Sequence, residues 1–249
     1  MFKKMHIVNQ KIIKQVYGGI MKKFVFMVFV MLTMFIFVWP ANAETREERK
    51  IINAIEAFNS LNQIPEQGIP SALLSNAYAI AVIPSVIKIG FMGGGRYGKG
   101  VLMVRTKSNR WSNPSFIYIS GASFGFQIGA QSTDIVLVFK TQKSVDSITS
   151  GKITLGADMS IAAGPVGRLA GAGTDLMLKA EIYSYSRNRG LFAGVSLEGA
   201  VLNIDKGANI NFYRKPYVSA LEIFTNPSLN APVIASKLRQ SLIHYTRPQ

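Results

Sequence analysis

From Ile80 to Ile204 the chain keeps returning to a two-residue apolar period, and this narrows the folds open to it more than any other feature. Ile80 to Ile89, Gly100 to Arg105, Phe116 to Ile119, Asp134 to Lys140, Lys152 to Ala163, Leu176 to Tyr185 and Leu191 to Ile204 all carry this strand pattern. Within them the run IVLVF that follows Asp134 is apolar at every position, as a strand buried on both faces requires. The 22 glycines supply the sharp turns, bulges and close approaches that such strands need. Helical spacing gathers instead at the two ends. An α+β single domain follows: an antiparallel sheet or barrel-like core with an N-terminal amphipathic helix and C-terminal helices.

The first helix is expected over Glu44 to Gln63, where Ile51, Ile55, Phe58 and Leu61 recur at helical spacing and Thr45 with Glu48 forms a capping box. Its apolar stripe can pack on the domain, or it can enter a membrane with Arg46, Arg49 and Lys50 at headgroup level. A short helix near Ser71 to Tyr78 has Ser71 as its natural N-cap. Thr141 to Ser150 forms a helical excursion with Val145 and Ile148 inward, and Tyr217 to Phe224 and Asn230 to Tyr245 read as the closing helices.

Before Glu44 the chain has a different character. Met21-Lys22-Lys23, the apolar run from Phe24 to Val38 and Ala41-Asn42-Ala43 have the layout of a secretory signal peptide over residues 21–43. If Ala43 is not a cleavage site, the same run is an inner-membrane anchor. Met21 is a second possible start, so residues 1–20 read as a dispensable extension. Six of the 28 Lys and Arg and none of the 13 acidic residues precede Glu44, which leaves residues 44–249 with a net charge of +9. A basic exported protein points to anionic lipid or acidic glycan rather than nucleic acid as its partner. The chain has no cysteine, which excludes disulfides, thiol catalysis and lipid attachment through Cys.

Two motifs imitate catalytic ones. Gly93-Gly94-Gly95-Arg96-Tyr97-Gly98-Lys99-Gly100 resembles both a dinucleotide loop and a P-loop, but a strand, Val101 to Arg105, follows where a helix must, and Gly100 replaces the magnesium-binding hydroxyl. What survives is a glycine-rich turn flanked by Lys88, Arg96 and Lys99, able to nest a phosphate. Gly121-Ala122-Ser123-Phe124-Gly125 spells a nucleophile elbow, with His244 as the base of a serine esterase. The elbow must lead into a helix, whereas Phe124, Phe126 and Ile128 continue a strand period. No His, Cys or acidic cluster has metal-ligand spacing, and no cofactor is implied.

The remaining distinctive string, YSYSRNRGLFAGVSLEG from Tyr183 to Gly199, reads as a hairpin with Arg187 and Arg189 at its tip. Taken in order with PSVIKIGFMGGGRYGKGVLMVR, WSNPSFIYISGASFGFQIGAQSTDIVLVF and AAGPVGR, it resembles the SYLF family of lipid-binding domains over most of Pro84 to Gly199. That resemblance implies a non-catalytic, phospholipid-binding domain over residues 44–249. On this reading of the residues, Lys88, Arg96, Lys99, Arg168, Arg187 and Arg189 supply phosphate contacts from loops, while Arg46, Arg49 and Lys50 sit at headgroup level and Ile51, Ile55 and Phe58 contact acyl chains. The resemblance carries phosphoinositides as the ligands of eukaryotic members and actin as a further partner of some fungal ones. An exported bacterial chain would instead meet phosphatidylglycerol, cardiolipin or lipid A in the periplasm or at the outer membrane, with no actin expected. A structural role, binding an envelope protein or glycan, is the alternative.

Overall fold

Thr45 begins the first helix as its spacing dictates. The Thr45 side chain accepts from the Glu48 amide at 3.1 Å while the Glu48 carboxylate accepts from the Thr45 amide at 2.8 Å, so two orphan donors are satisfied reciprocally in α1 (Arg46–Asn62). A computed structural model describes residues 22–24, 26–27, 44–63, 68–91, 93–123, 130–165, 179–188 and 191–247. The chain divides into two units, Met1–Glu44 and Thr45–Gln249. In the first, the described residues 22–24 and 26–27 are helical and exposed; the apolar run expected to be a leader lies mostly outside the described residues. No helix among the described residues is long and apolar enough to cross a membrane.

The second unit contains its own hydrophobic core. After α1 come α2 (Ser71–Ser75), β1 (Ala79–Phe91), β2 (Gly93–Val104), β3 (Ser115–Ser123), β4 (Ala130–Phe139), α3 (Gln142–Thr149), β5 (Lys152–Thr154) and β6 (Ile161–Ala163). The chain closes with β7 (Ile182–Asn188), β8 (Leu191–Gly194), β9 (Val201–Ile204), α4 (Lys206–Tyr213), α5 (Ala220–Thr225) and α6 (Val233–Thr246). One sheet holds the strands in the order β5-β9-β3-β2-β1-β4-β7-β6, with β8 paired to β7. All pairs are antiparallel except β6 with β7, so the expected antiparallel sheet is in fact mixed at one edge.

Cross-strand pairs share a face of the sheet, and the register therefore sorts the side chains. Phe116 and Val101 are partners, and Phe116 meets Phe212 of α4 edge-on at 5.2 Å, with the Lys50 ammonium of α1 5.7 Å from its ring centre. This is the helix face. On α1, Ile51, Ala54, Phe58 and Leu61 are buried against it, and α6 packs beside α1 through the Phe58 and Tyr245 rings, 5.7 Å apart. The opposite face carries Ile119, Leu202 and Ile153, partners across β3, β9 and β5. Burying each such side chain contributes roughly 1.5–3 kcal/mol.

A bulge in β1 decides the upper half of the sheet. One extra residue lies between Val82 and Ile87 relative to β2, and between Ile83 and Val86 relative to β4. Pro84 lacks an N–H for the ladder. Ser85 sits at φ 51°, and its amide donates at 2.9 Å to the side-chain Oδ1 of Asp134 on neighbouring β4 instead of to a backbone carbonyl. A single inserted residue inverts the parity of everything beyond it. Ile80 and Val82 lie on the helix face before the bulge, whereas Ile87 and Ile89 take that face after it and Lys88 turns to the opposite side.

Several expectations need correction. Gly93 to Gly100 is no turn but the first part of β2, paired on both sides. Pro70, not Ser71, holds the N-cap position of α2, without a side-chain cap. The helix α4 carries no apolar stripe that would announce it. It forms because Asp205 caps it, accepting from the Ala208 amide at 3.1 Å. Fully buried Asn209 then accepts from the Phe116 amide at 2.8 Å and donates to Ser115 Oγ at 3.0 Å, completing the edge of β3 with a side chain. The helices expected at Thr141–Ser150, Tyr217–Phe224 and Asn230–Tyr245 are present as α3, α5 and α6, shifted by a few residues.

Candidate functional site

The apolar stripe of α1 faces its own domain. Ile51 and Phe58 are 0 % exposed and Ile55 packs against the same core, so of the two uses expected for the stripe the structure shows packing on the sheet and α6. Arg46 and Arg49 remain exposed on the polar side, and Lys50 lies 3.6 Å from Glu47.

The expected headgroup cations separate into three groups. Lys99 ion-pairs with Asp205 at 2.8 Å, which ties β2 to the cap of α4. The hydrogen bond to Asp205 raises the Lys99 pKa against the effect of burial. Burial alone would raise the Asp205 carboxyl, but its bonds to Lys99 and the Ala208 amide outweigh that and hold it below its usual value. Lys99 is therefore a structural cation rather than a loop donor. Arg187, on β7, is the cross-strand partner of Asp134. Arg168 and Arg189 lie outside the described residues.

Lys88 and Arg96 form the third group. They are direct partners across β1 and β2, beyond the bulge and on the face opposite the helices, so both sit on strands rather than on a loop. Arg96 is only 9 % exposed. One guanidinium nitrogen donates to the Ser196 carbonyl at 3.2 Å, while Nε has no partner among the described residues. Burial lowers the Arg96 pKa, and burial followed by the nearby Arg96 charge lowers that of Lys88. No carboxylate among the described residues pairs with either.

On the other side of the same ribbon the sheet is apolar and uncovered. Ile87 is 45 % exposed, Ile89 63 % and its neighbour Tyr97 48 %, with Ile87 and Tyr97 directly opposed and Tyr97 resting on the Tyr118 ring at 6.2 Å. The strand pattern expected over Ile80 to Ile89 does not announce this patch. The available signal is Pro84-Ser85, which marks a break in parity within an otherwise regular strand. Beyond the bulge the β1–β2 ribbon thus presents apolar side chains on one face and two cations on the other. Such a ribbon can enter an interface whose interior is apolar and whose surface is anionic.

Of the residues in the esterase reading, Gly121, Ala122 and Ser123 pair with Arg96, Gly95 and Gly94 at the end of β3, and the segment that follows, where a nucleophile elbow needs a helix, lies outside the described residues. His244 lies on α6, stacked edge-on against Tyr245 at 4.7 Å.

Residues 120–245 match the Ysc84 family, described as "Las17-binding protein actin regulator". The chain is 35 % identical over 210 residues to SH3 domain-containing YSC84-like protein 1 of Xenopus laevis, covering 83 % of this chain and 62 % of that protein. It is 39 % identical over 172 residues to LAS seventeen-binding protein 3 of Saccharomyces cerevisiae, covering 67 % of this chain and 37 % of that one. It is also 36 % identical over 177 residues to the Homo sapiens YSC84-like protein 1, at 70 % and 51 % coverage. The chain thus spans less than two thirds of the length of each of these relatives, all of which are named as binding or SH3-containing proteins rather than as enzymes.

Proposed function

The chain belongs to the Ysc84 (SYLF) family, and from that premise we propose that it is a non-catalytic protein that binds anionic phospholipid through the end of its β1–β2 ribbon. The observation that carries this reading is the exposed trio Ile87, Ile89 and Tyr97, gathered on one face of paired strands while the apolar stripe of α1 is packed. Exposed contiguous apolar side chains mark an interaction surface when the rest of the surface is polar. A net charge of +9 over residues 44–249, from 22 basic and 13 acidic residues, favours an anionic surface. Residues 21–43 act in this reading as an export signal, which directs the protein to the bacterial periplasm or outer membrane, where phosphatidylglycerol and cardiolipin are the anionic lipids.

Las17 and actin regulation belong to the names of the relatives and reach this chain only as the alternative of a protein partner. Tyr217, which is almost wholly exposed, and Leu221, exposed on α5, favour that alternative.

Co-sedimentation of residues 44–249 with vesicles tests the reading. Vesicles rich in phosphatidylglycerol should retain the protein, neutral vesicles should not, and salt should weaken the binding. Ile89→Glu removes an apolar contact worth roughly 1–2 kcal/mol and adds a repelled charge worth about 1 kcal/mol, so retention should fall at least tenfold, by roughly 1.4 kcal/mol per decade. Equal retention of wild type and Ile89→Glu, or equal binding to neutral vesicles, would exclude it.

A further inference from the structure

Lys88 and Arg96 present a physical problem that the fold does not solve. Two cations side by side repel, and burial adds a desolvation cost that an opposite charge normally offsets. Elsewhere this domain provides such partners: Lys99 has Asp205, Lys143 has Glu181 and Lys50 has Glu47. Lys88 and Arg96 have none among the described residues, although Arg96 is more than nine-tenths buried and its Nε lacks any hydrogen-bond acceptor. The surroundings hold the pair in place. Gly121 is the β3 partner of Arg96, and a Cβ there would stand 2.8 Å from Ala200 Cα, so the 196–200 turn closes on the sheet beside the guanidinium. The Ser196 carbonyl fixes one arm of that guanidinium from the same turn.

We infer that Lys88 and Arg96 form a seat for a single phosphate-type dianion or monoanion on the face of the ribbon opposite Ile87 and Ile89. The guanidinium offers a planar fork of donors suited to two phosphate oxygens, and the ammonium supplies a second charge from the neighbouring strand. The anion takes the place of the carboxylate that no described residue supplies. Its source is either a phospholipid headgroup or free phosphate. The headgroup case deepens the membrane reading and rests on it; the free-phosphate case does not.

The test uses the full chain in micelles of a neutral detergent. Inorganic phosphate is titrated at constant ionic strength against chloride, with ³¹P line broadening and thermal midpoint as readouts, and the titration is repeated with micelles doped with phosphatidylglycerol. Saturable binding that raises the midpoint is expected for the wild type. Lys88→Met, at a partly exposed position, and Arg96→Lys, which keeps the charge but loses the fork, should each weaken it about tenfold. Lys88→Met also guards against misfolding, because it reads the same site without touching the buried group. Phosphate binding unchanged in both variants, or no saturable binding of phosphate or doped lipid by the wild type, overturns the inference. Phosphate binding that depends on both residues upholds it even where vesicles fail to retain the protein, in which case the membrane reading alone falls. Vesicle retention that depends on Ile89 but not on Lys88 or Arg96 separates the two in the other direction.

Discussion

Substituting the glycines of β2 one at a time by alanine should give a graded loss of stability set by what each new methyl group meets. At Gly100 a Cβ would stand 2.1 Å from the Val82 carbonyl oxygen and 2.7 Å from Ile83 Cα, both backbone atoms of β1 at the foot of its bulge. Backbone cannot rotate away, so either the bulge opens or the two strands part. Overpacking of this kind costs about 1–3 kcal/mol and more when backbone must move, and Gly100→Ala should lie at or above 3 kcal/mol. For a domain of this size that corresponds to roughly 6–12 °C in thermal midpoint. At Gly98 the nearest atoms are Cγ2 of Val86 at 2.7 Å and Cγ2 of Ile83 at 3.0 Å, side chains with some freedom, and about 1–2 kcal/mol is expected. At exposed Gly95 nothing lies within 4 Å, so Gly95→Ala should change stability by less than about 0.5 kcal/mol. Urea unfolding of residues 44–249 measures all three, with the slope checked to be unchanged. Gly100→Ala as stable as wild type, or Gly95→Ala the worst of the series, would refute the reasoning that these glycines serve strand packing.

Asn209→Ala should cost about 1–3 kcal/mol in the same assay, because it leaves the buried Phe116 amide without its acceptor; a loss under 0.5 kcal/mol would mean that the amide finds another. The Asp205 carboxyl is held below its ordinary value of 3.8 in the folded protein, so its contribution is present above that value and is lost as pH falls through the lower folded value. Stability followed downward from pH 6 should therefore decline below about pH 4 less steeply in Asp205→Asn than in the wild type; parallel curves would contradict the assignment. Thr45→Ala should remove about 1 kcal/mol by unmaking half of the capping box, measured by urea midpoint, with no change indicating that the helix end is carried by packing alone.

Most of the framework was legible because local chemistry and tertiary packing agree. The capping box at Thr45 and the stripe of Ile51, Phe58 and Leu61 specify α1, and the apolar run after Asp134 specifies a central strand buried on both faces. The destination of the α1 stripe was not legible, since an amphipathic helix looks the same whether it covers a sheet or a bilayer. The helix α4 escaped notice because a capping Asp and a buried Asn, rather than periodicity, hold it. The site turned on one residue. The bulge at Pro84–Ser85 inverts the alternation of β1, exposing Ile87 and Ile89 and pairing Lys88 with Arg96, and parity beyond a bulge follows from register with neighbouring strands rather than from the segment's own pattern. The catalytic look-alikes mislead for a related reason, since the glycines of GGGRYGKG lie in β2 and Gly121 to Ser123 at the end of the adjacent β3, where strands approach closely.

A single tryptophan at the ribbon measures the central claim most directly. In residues 44–249 the native tryptophan is Trp111, buried and donating to Thr246 Oγ1 at 3.1 Å, so it contributes a constant background. Ile89→Trp places a reporter within the exposed patch and Val233→Trp places one on the exposed start of α6. With phosphatidylglycerol vesicles carrying brominated acyl chains, the emission of Ile89→Trp should shift to the blue and be quenched, while that of Val233→Trp should do neither. Quenching at position 233 with none at position 89 would contradict the account and move the membrane face away from the ribbon.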